Sequence, residues 1–322
     1  MRKMLALLGA ALCVLAAPGP AAAKDYPDRP VTLVVAQAAG GTNDAVARFI
    51  ADRLSRNMGQ RFVVENKAGA GGNIGTASTA RAEPDGYTLL VSVNNPLTIN
   101  PSLYRSTGFD PVADFVPVSL LATAPYVLVA NPKFPAKTMP ELLALAKEKP
   151  NQIQYASSGI GTVNHLLVEM LGFETGTKFV HVPYRGVSSL MSDLVAGHIE
   201  LGFATMPAVQ SFLEGGKLTA LGVSSTKRLG IAPEIPAVAE TVPGYGSELW
   251  VGLFAVRGTP PEIVARLHRE ITNILHAPKE RAALTAMGVN PATSTPEELA
   301  ALLKQDLKLW QGIVAKVGVK ID

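Results

Sequence analysis

The chain has 322 residues, 29 basic side chains against 26 acidic ones, and 48% hydrophobic residues. That balance excludes the concentrated basic face that nucleic-acid phosphates demand, and the length suits two domains better than one. Cys13 is the single cysteine, which excludes an internal disulfide and leaves stability to the core.

The first segment reads as an export signal. Arg2 and Lys3 supply a positive start, and residues 4–17 form an apolar run without a charge. That run falls short of the roughly 20 residues of a spanning helix. Pro18-Gly19-Pro20 breaks it, and Ala21-Ala22-Ala23 offers the small-x-small pattern of signal peptidase. The expectation is cleavage after Ala23 and a periplasmic protein starting at Lys24. Cys13 follows Ala10-Ala11-Leu12 rather than the small residue that lipid attachment wants, so it leaves with the signal. No later segment is long and apolar enough to span a bilayer.

Apolar β-rich runs then alternate with segments of helical period, the signature of α/β layering. Residues 31–36 are continuously apolar, as expected of a strand covered on both faces. Val46, Phe49, Ile50, Leu54 and Met58 follow with helical spacing until Gly59. Strands are predicted at 62–65 and, after the Pro84-Asp85-Gly86 turn, at 87–93. The alternation resumes with strands at 153–157, 179–183, 199–203 and 218–224. Residues 233–246, rich in proline and glycine, read as a long surface connection.

Three helix starts fit the capping box: Thr138-Met139-Pro140-Glu141, Thr259-Pro260-Pro261-Glu262 and Thr295-Pro296-Glu297-Glu298. The last helix carries an apolar stripe of Leu299, Leu303, Leu307, Trp310, Val314 and Val317. Trp250 has a packing role and no more.

Two strand-to-helix turns carry the candidate chemistry. The first is Gln37-Ala38-Ala39-Gly40-Gly41-Thr42-Asn43-Asp44; the second is Ser157-Ser158-Gly159-Ile160-Gly161-Thr162-Val163-Asn164-His165. Each follows a strand and opens a helix, so backbone N–H groups and the positive helix end face one spot suited to an anion. The hydroxyls of Thr42, Ser157, Ser158 and Thr162 add neutral donors. The alternative is that both are merely tight, well-capped turns. Asp44 reads as a cap or a loop tie. His165 either points toward a ligand or packs as a satisfied histidine. Arg185, after a strand end in Val182-Pro183-Tyr184-Arg185-Gly186, either pairs with a carboxylate or is solvated.

Other chemistries find no support. No GxxxxGK[ST] occurs, and Asn164 stands where a dinucleotide fingerprint needs its third glycine. Gly69-Ala70-Gly71-Gly72-Asn73-Ile74-Gly75 misses that register too and reads as a flexible loop before a helix. There is no GxSxG elbow. His165, His181, His198, His268 and His276 show no metal-ligand spacing. No catalytic residue, metal or cofactor is expected.

Several segments, in order, make the chain resemble the solute-binding receptors of tripartite tricarboxylate transporters, the Bug family. They are Tyr26-Pro27-Asp28-Arg29-Pro30-Val31, Val64-Glu65-Asn66-Lys67 with the 69–75 glycine segment, Pro84-Asp85-Gly86-Tyr87-Thr88-Leu89-Leu90 and Ile99-Asn100-Pro101-Ser102-Leu103-Tyr104. Tyr155-Ala156-Ser157-Ser158-Gly159, His181-Val182-Pro183-Tyr184-Arg185-Gly186 and Gly252-Leu253-Phe254-Ala255 complete the set. The resemblance implies a type II periplasmic-binding-protein fold: two α/β lobes joined by two crossover segments, closing over a ligand. Lobe one would comprise 24–123 plus 252–322 and lobe two 124–251, crossing near 122–125 and 250–252.

In such receptors the two loops hold a ligand carboxylate, largely through backbone amides and ordered waters. The implied ligand-binding set is Gln37, Ala39, Gly40, Gly41, Thr42, Asp44, Asn94, Ser157, Ser158, Gly161, Thr162, His165, Tyr184, Arg185 and Ala204. Two departures stand out: Gln37 occupies the place of a usual Phe, and Ala204 that of a common Asp or Asn. The expectation is a monomeric receptor that captures a small carboxylate for membrane transporter subunits, with no nucleic-acid partner. A sensory receptor for a membrane kinase, or a periplasmic hydrolase or isomerase, are the alternatives.

Overall fold

The computed structural model describes residues 26–321. The expected signal, residues 1–23 with Cys13, lies outside the described residues.

The first third runs β1 (Val31–Val35), α1 (Thr42–Met58), β2 (Phe62–Asn66), α2 (Asn73–Ala80) and β3 (Thr88–Val93). A π-turn (Asn95–Ile99) leads into α3 (Asn100–Leu103) and then the long β4 (Phe115–Ala130). The middle runs α4 (Met139–Glu148), β5 (Gln154–Ser157), α5 (Val163–Thr175), β6 (Val180–Pro183), α6 (Val187–Ala196), β7 (Leu201–Thr205), α7 (Met206–Glu214) and β8 (Thr219–Val223). The chain returns through β9 (Glu248–Val256), α8 (Pro261–His276), α9 (Pro278–Ala286), β10 (Asn290–Pro291) and α10 (Pro296–Val317).

The continuous apolar run predicted at 31–36 is a central strand. β1 pairs in parallel with both β2 and β3, and Val31, Leu33, Val34 and Val35 are wholly buried. β9 runs antiparallel between β3 and β4, completing the first sheet together with β10. In the second sheet β5 pairs in parallel with β6 and β7, while β7 and β8 run antiparallel to β4. β4 belongs to both: residues 115–125 pair with β9, and residues 126–130 with β7 and β8. β9 is already paired with β4 at Glu248, opposite Pro125, so the return to the first sheet begins upstream of 250–252. This is the mixed α/β, two-lobed architecture expected, with helices packed on the sheet faces.

Of the three expected capping boxes one forms in full and one in half. Thr295 forms the full capping box, accepting from the Glu298 amide while Glu298 accepts from the Thr295 amide. Thr138 accepts from the Glu141 amide at a longer 3.4 Å, and Glu141 reaches back to the Lys137 amide instead. Thr259 caps nothing. It donates to the Val256 carbonyl, and α8 starts at the second of two prolines. α8 instead owes its place to a buried stripe of Ile263, Val264, Leu267, Ile271, Ile274 and Leu275.

Three other expectations need correction. The 69–75 glycine segment is not a loose loop. It forms a short 3-10 turn (Ala70–Gly72), and a Cβ on Gly75 would stand 2.5 Å from the Lys67 carbonyl oxygen and 2.9 Å from Ala36 Cα. Glycine there lets α2 lie directly on β1. The 233–246 stretch is packed rather than superficial: Ile235, Ala237, Val238, Val242 and Tyr245 are buried, and the Tyr245 hydroxyl donates to the Leu167 carbonyl. Trp250 does more than pack, since its Nε1 donates to Asp306 Oδ2 at 2.7 Å. The stripe of α10 thus conceals one buried carboxylate among its apolar side chains.

Candidate functional site

A cleft of ≈ 300 Å³ lies beyond the carboxyl ends of β1, β3, β5 and β7, where ligands of open α/β sheets collect. Its lining comes from both sheets. Gln37, Gly41, Thr42, Asn43, Gly71, Val93, Asn94, Asn95 and Leu249 stand on one side, and Tyr126, Ser158, Thr162, Val163, Asn164, Val187, Ala204 and Thr205 on the other. Among the described residues, no Asp, Glu, Lys, Arg or His lines it.

Four helices begin in this cleft: α1 at Gly41, α5 at Thr162, α6 at Gly186 and α7 at Thr205. None of the four has a side-chain cap. The two helices with threonine caps, α4 and α10, begin elsewhere. The first-turn N–H groups of a helix have no intrahelical partner and carry the positive end of its dipole. Four such ends around a cavity without charged side chains produce a positive field made of backbone alone, suited to a small anion.

Seven of the sequence-predicted residues line the cleft: Gln37, Gly41, Thr42, Asn94, Ser158, Thr162 and Ala204. The other eight do not. Ala39 and Gly40 are exposed on the outer rim of the first loop. Asp44 is buried beneath it and ties it down, accepting from the Gly40 amide, Asn66 Nδ2 and Arg48 Nε. Burial alone would raise its pKa, but these donors and the Arg48 charge outweigh burial and hold it below the ordinary value. Gly161 is buried, with φ +75°, against Leu103 and Ile321. The Tyr184 hydroxyl donates to Asp193, and Arg185 is exposed.

Ser157 and His165 belong to a layer under the second loop. The rings of Tyr155, His181 and His165 stack, with His165 and His181 centroids 3.9 Å apart. His165 Nδ1 accepts from the Gly161 amide at 3.0 Å, so the histidine turns back to brace its own loop. Burial, and secondarily the His181 ring, lower the His165 pKa to about 3; burial lowers His181 to about 4. Both rings are therefore neutral at pH 7. The second loop also uses its own amides: Ser158 N–H goes to Asn164 Oδ1, Gly159 N–H to Ser157 Oγ and Thr162 N–H to the Gly159 carbonyl. The anion-ready donors on that side are the first-turn amides of α5, one step further along the chain than the glycines suggested.

Ser157 Oγ lies 2.6 Å from His181 Nε2, a spacing seen in nucleophile–base pairs. Here the serine is wholly buried and also engages the Gly159 amide and carbonyl. No carboxylate orients the His181 ring, and its lowered pKa makes it a weak base. The pair is loop architecture.

Sequence reasoning missed several lining residues. Asn95 sits at a strand end like Asn94, and Thr205 precedes the Met206-Pro207 helix start; the strand-end rule applied to every strand would have found both. Asn43 and Gly71 were within segments already singled out. Tyr126 and Leu249 lie where β4 and β9 pass between the sheets, a position fixed only by topology. Among the described residues, no group of three or more His, Cys, Asp or Glu is placed to hold a metal. No described helix is long and apolar enough to cross a membrane. A larger groove of ≈ 530 Å³ runs between α7, residues 231–235 and α9, but Glu214 and Glu234 line it without a cation, which disfavours an anion.

Comparison with known proteins fits this geometry. The chain is similar to the protein BugT of Bordetella pertussis, 34% identical over 323 residues, covering 100% of this chain and 99% of the relative. It superposes on the R. palustris protein Rpa4515 with adipate with a TM-score of 0.84, at 33% identity, covering 92% of this chain and 99% of that one. It also superposes on MatC (Rpa3494) from Rhodopseudomonas palustris with bound malate, with a TM-score of 0.78 at 31% identity, over 90% of this chain and 100% of that one. Residues 46–319 match the tripartite tricarboxylate transporter family receptor, TctC, and the chain therefore belongs to this family of periplasmic solute-binding receptors.

Proposed function

We propose that this receptor captures a small carboxylated solute in the cleft between two lobes, 24–123 plus 252–322 and 124–251, and delivers it to the membrane subunits of a tripartite tricarboxylate-type transporter. On this reading the chain is exported with cleavage after Ala23, acts as a monomer in the periplasm and catalyses nothing. The observation that carries it is the meeting of four uncapped helix N-termini, α1, α5, α6 and α7, around a cleft without charged side chains. A carboxylate seated there accepts from first-turn amides of α1 and α5 and from the Thr42 hydroxyl, whereas the hydroxyls of Ser158 and Thr162 are spent on Asn164 Oδ1 and the Gly159 carbonyl. The adipate and malate in the similar structures are carboxylates of a size suited to ≈ 300 Å³.

In this role Gln37, Gly41, Thr42, Asn94, Ser158, Thr162 and Ala204 face the solute. Asp44, Ser157, Gly161 and His165 hold the loops, and Arg185 stays outside. Native mass spectrometry of protein purified without refolding, followed by calorimetric titration with a panel of organic acids, tests the reading. A carboxylate bound with micromolar or tighter affinity is the expected result; failure of every carboxylate to bind unliganded protein refutes it. Deletion of the protein should abolish uptake of that solute. Loss of gene induction with uptake intact would instead assign it to signalling.

A further inference from the structure

Residues 124–251 meet the rest of the chain on two sides, and the two sides are built differently. On the first, α5 packs directly on α10. Leu166, Leu167 and Leu171 share one continuous apolar core with Leu103, Ile313 and Val314. The contact follows α5 from end to end. At its start, a Cβ on Gly161 would collide with Leu103 Cδ1 and stand 3.0 Å from Ile321 Cδ1. At its far end, Lys316 Nζ lies 4.3 Å from the centre of the Phe173 ring.

On the second side, α7 and residues 231–235 face α9 across the open groove of ≈ 530 Å³. α6 and α7 pack in a separate apolar core whose members all lie within 124–251. That core ties them to their own lobe and not to α9. Pro207, at the start of α7, does reach Gly288 of the other lobe, where a Cβ would stand 2.9 Å from Pro207 Cγ. Glycine offers no side chain to interlock there.

Parting the first side would return the leucine, isoleucine and valine side chains of a packed core to water, whereas the second side already stands apart. The motion of least resistance leaves the first side intact. We infer that the lobes pivot about the α5–α10 contact, so that α5 keeps its place against lobe one while α6 and α7 swing and change the width of the α7–α9 groove. The inference rests on the two-lobed capture reading. The four helix ends around the cleft then differ in role. α1 and α5 form a standing half of the site that meets the solute first, and α6 and α7 reach it on closure. A half-site held in place before binding has less freedom to lose when the solute arrives.

The test is distance measurement between spin labels by pulsed electron resonance. Cys13 is the single cysteine of the sequence, so introduced thiols are the only ones in the mature protein. Glu174→Cys with Gln311→Cys spans α5 and α10, and Ser211→Cys with Lys279→Cys spans α7 and α9; all four positions are exposed and none lines the cleft. In unliganded protein the α5–α10 distances should be narrowly distributed and the α7–α9 distances broadly. Saturation with an organic acid that binds should shift the α7–α9 distance and leave the α5–α10 distance unchanged. An α5–α10 distance that shifts as much as the other overturns the pivot while leaving lobe closure and capture standing. A shift in neither pair overturns closure and the pivot together. If no acid binds, capture fails, and the unliganded widths still decide the pivot: equal widths overturn it.

Discussion

Asp306 on α10 is the most informative residue to perturb for stability. It is 9% exposed, and its Oδ2 accepts from Trp250 Nε1 at 2.7 Å. Burial pushes its pKa from 3.8 to about 6, with the Trp250 hydrogen bond opposing the rise. A carboxyl whose pKa is higher in the folded than in the unfolded chain binds its proton more tightly when folded. Its contribution therefore favours folding at low pH and weakens as pH rises from about 4 through 6. In full this difference corresponds to about 3 kcal/mol, of which about 2 kcal/mol is lost between pH 4.5 and 8. Asp306→Asn keeps an acceptor for Trp250 and removes the buried charge. Urea unfolding of wild type and variant, compared at pH 4.5, 6 and 8, isolates the effect, because every other titrating group is common to both proteins. The variant should gain on wild type mainly between pH 4.5 and 6 and little beyond, by about 2 kcal/mol in all. A difference that does not change with pH would refute the reasoning, and a variant less stable than wild type at pH 8 would show the charge to be a net stabiliser.

The stacked histidines should act with the opposite sign. His165 and His181 have pKa values lowered to about 3 and about 4, so their contribution is complete above the unfolded value near 6.5 and is lost as pH falls toward 4. His181→Phe should lose less stability than wild type between pH 6.5 and 4 in urea titrations; equal losses would count against the assignment. Gly161→Ala places a Cβ 2.4 Å from Leu103 Cδ1 at φ +75° and should cost on the order of 1–3 kcal/mol by thermal melting. An unchanged melting temperature would contradict the packing of the second loop on α3. Thr295→Ala should cost about 1 kcal/mol and Thr138→Ala less, because Thr295 forms the full capping box and Thr138 only a 3.4 Å bond. The reverse order, measured by chemical unfolding, would sink that comparison.

Much of the fold was legible because it is written in local patterns. The buried run of β1, the glycine that ends α1 in the left-handed region and the threonine that caps α10 each act within a few residues. The cleft loops were legible for a related reason: a strand running into a helix carries its donor groups to a known place whatever the rest of the chain does. What escaped depends on contacts distant in sequence. His165 turns to its loop because Gly161 N–H and the His181 ring are there to receive it. Asp306 falls between Leu303 and Trp310 on the buried face of α10, where only Trp250, arriving from β9, gives a carboxylate its partner. The glycines at 69–75 resemble a flexible linker in composition, and only the approach of α2 to β1 makes them obligatory. The π-turn that brings Asn94 and Asn95 into the cleft has no signature beyond Pro96 and Pro101 around it.

The double membership of β4 joins the two sheets by main-chain hydrogen bonds. Its first eleven residues are laddered to β9 and its last five to β7 and β8, so the two sheets share this strand, with the start of β9 crossing beside it. Slippage by one residue would turn every buried side chain of that strand to the wrong face, which its closed packing forbids. Register shifts near Pro117/Ser119, Leu120/Ala122 and Leu128/Val129, the irregular points of the strand. Bending at such a joint would load backbone hydrogen bonds along the strand rather than turn about one residue. Movement of one sheet against the other would be opposed by the rungs on either side of Pro125 and Tyr126.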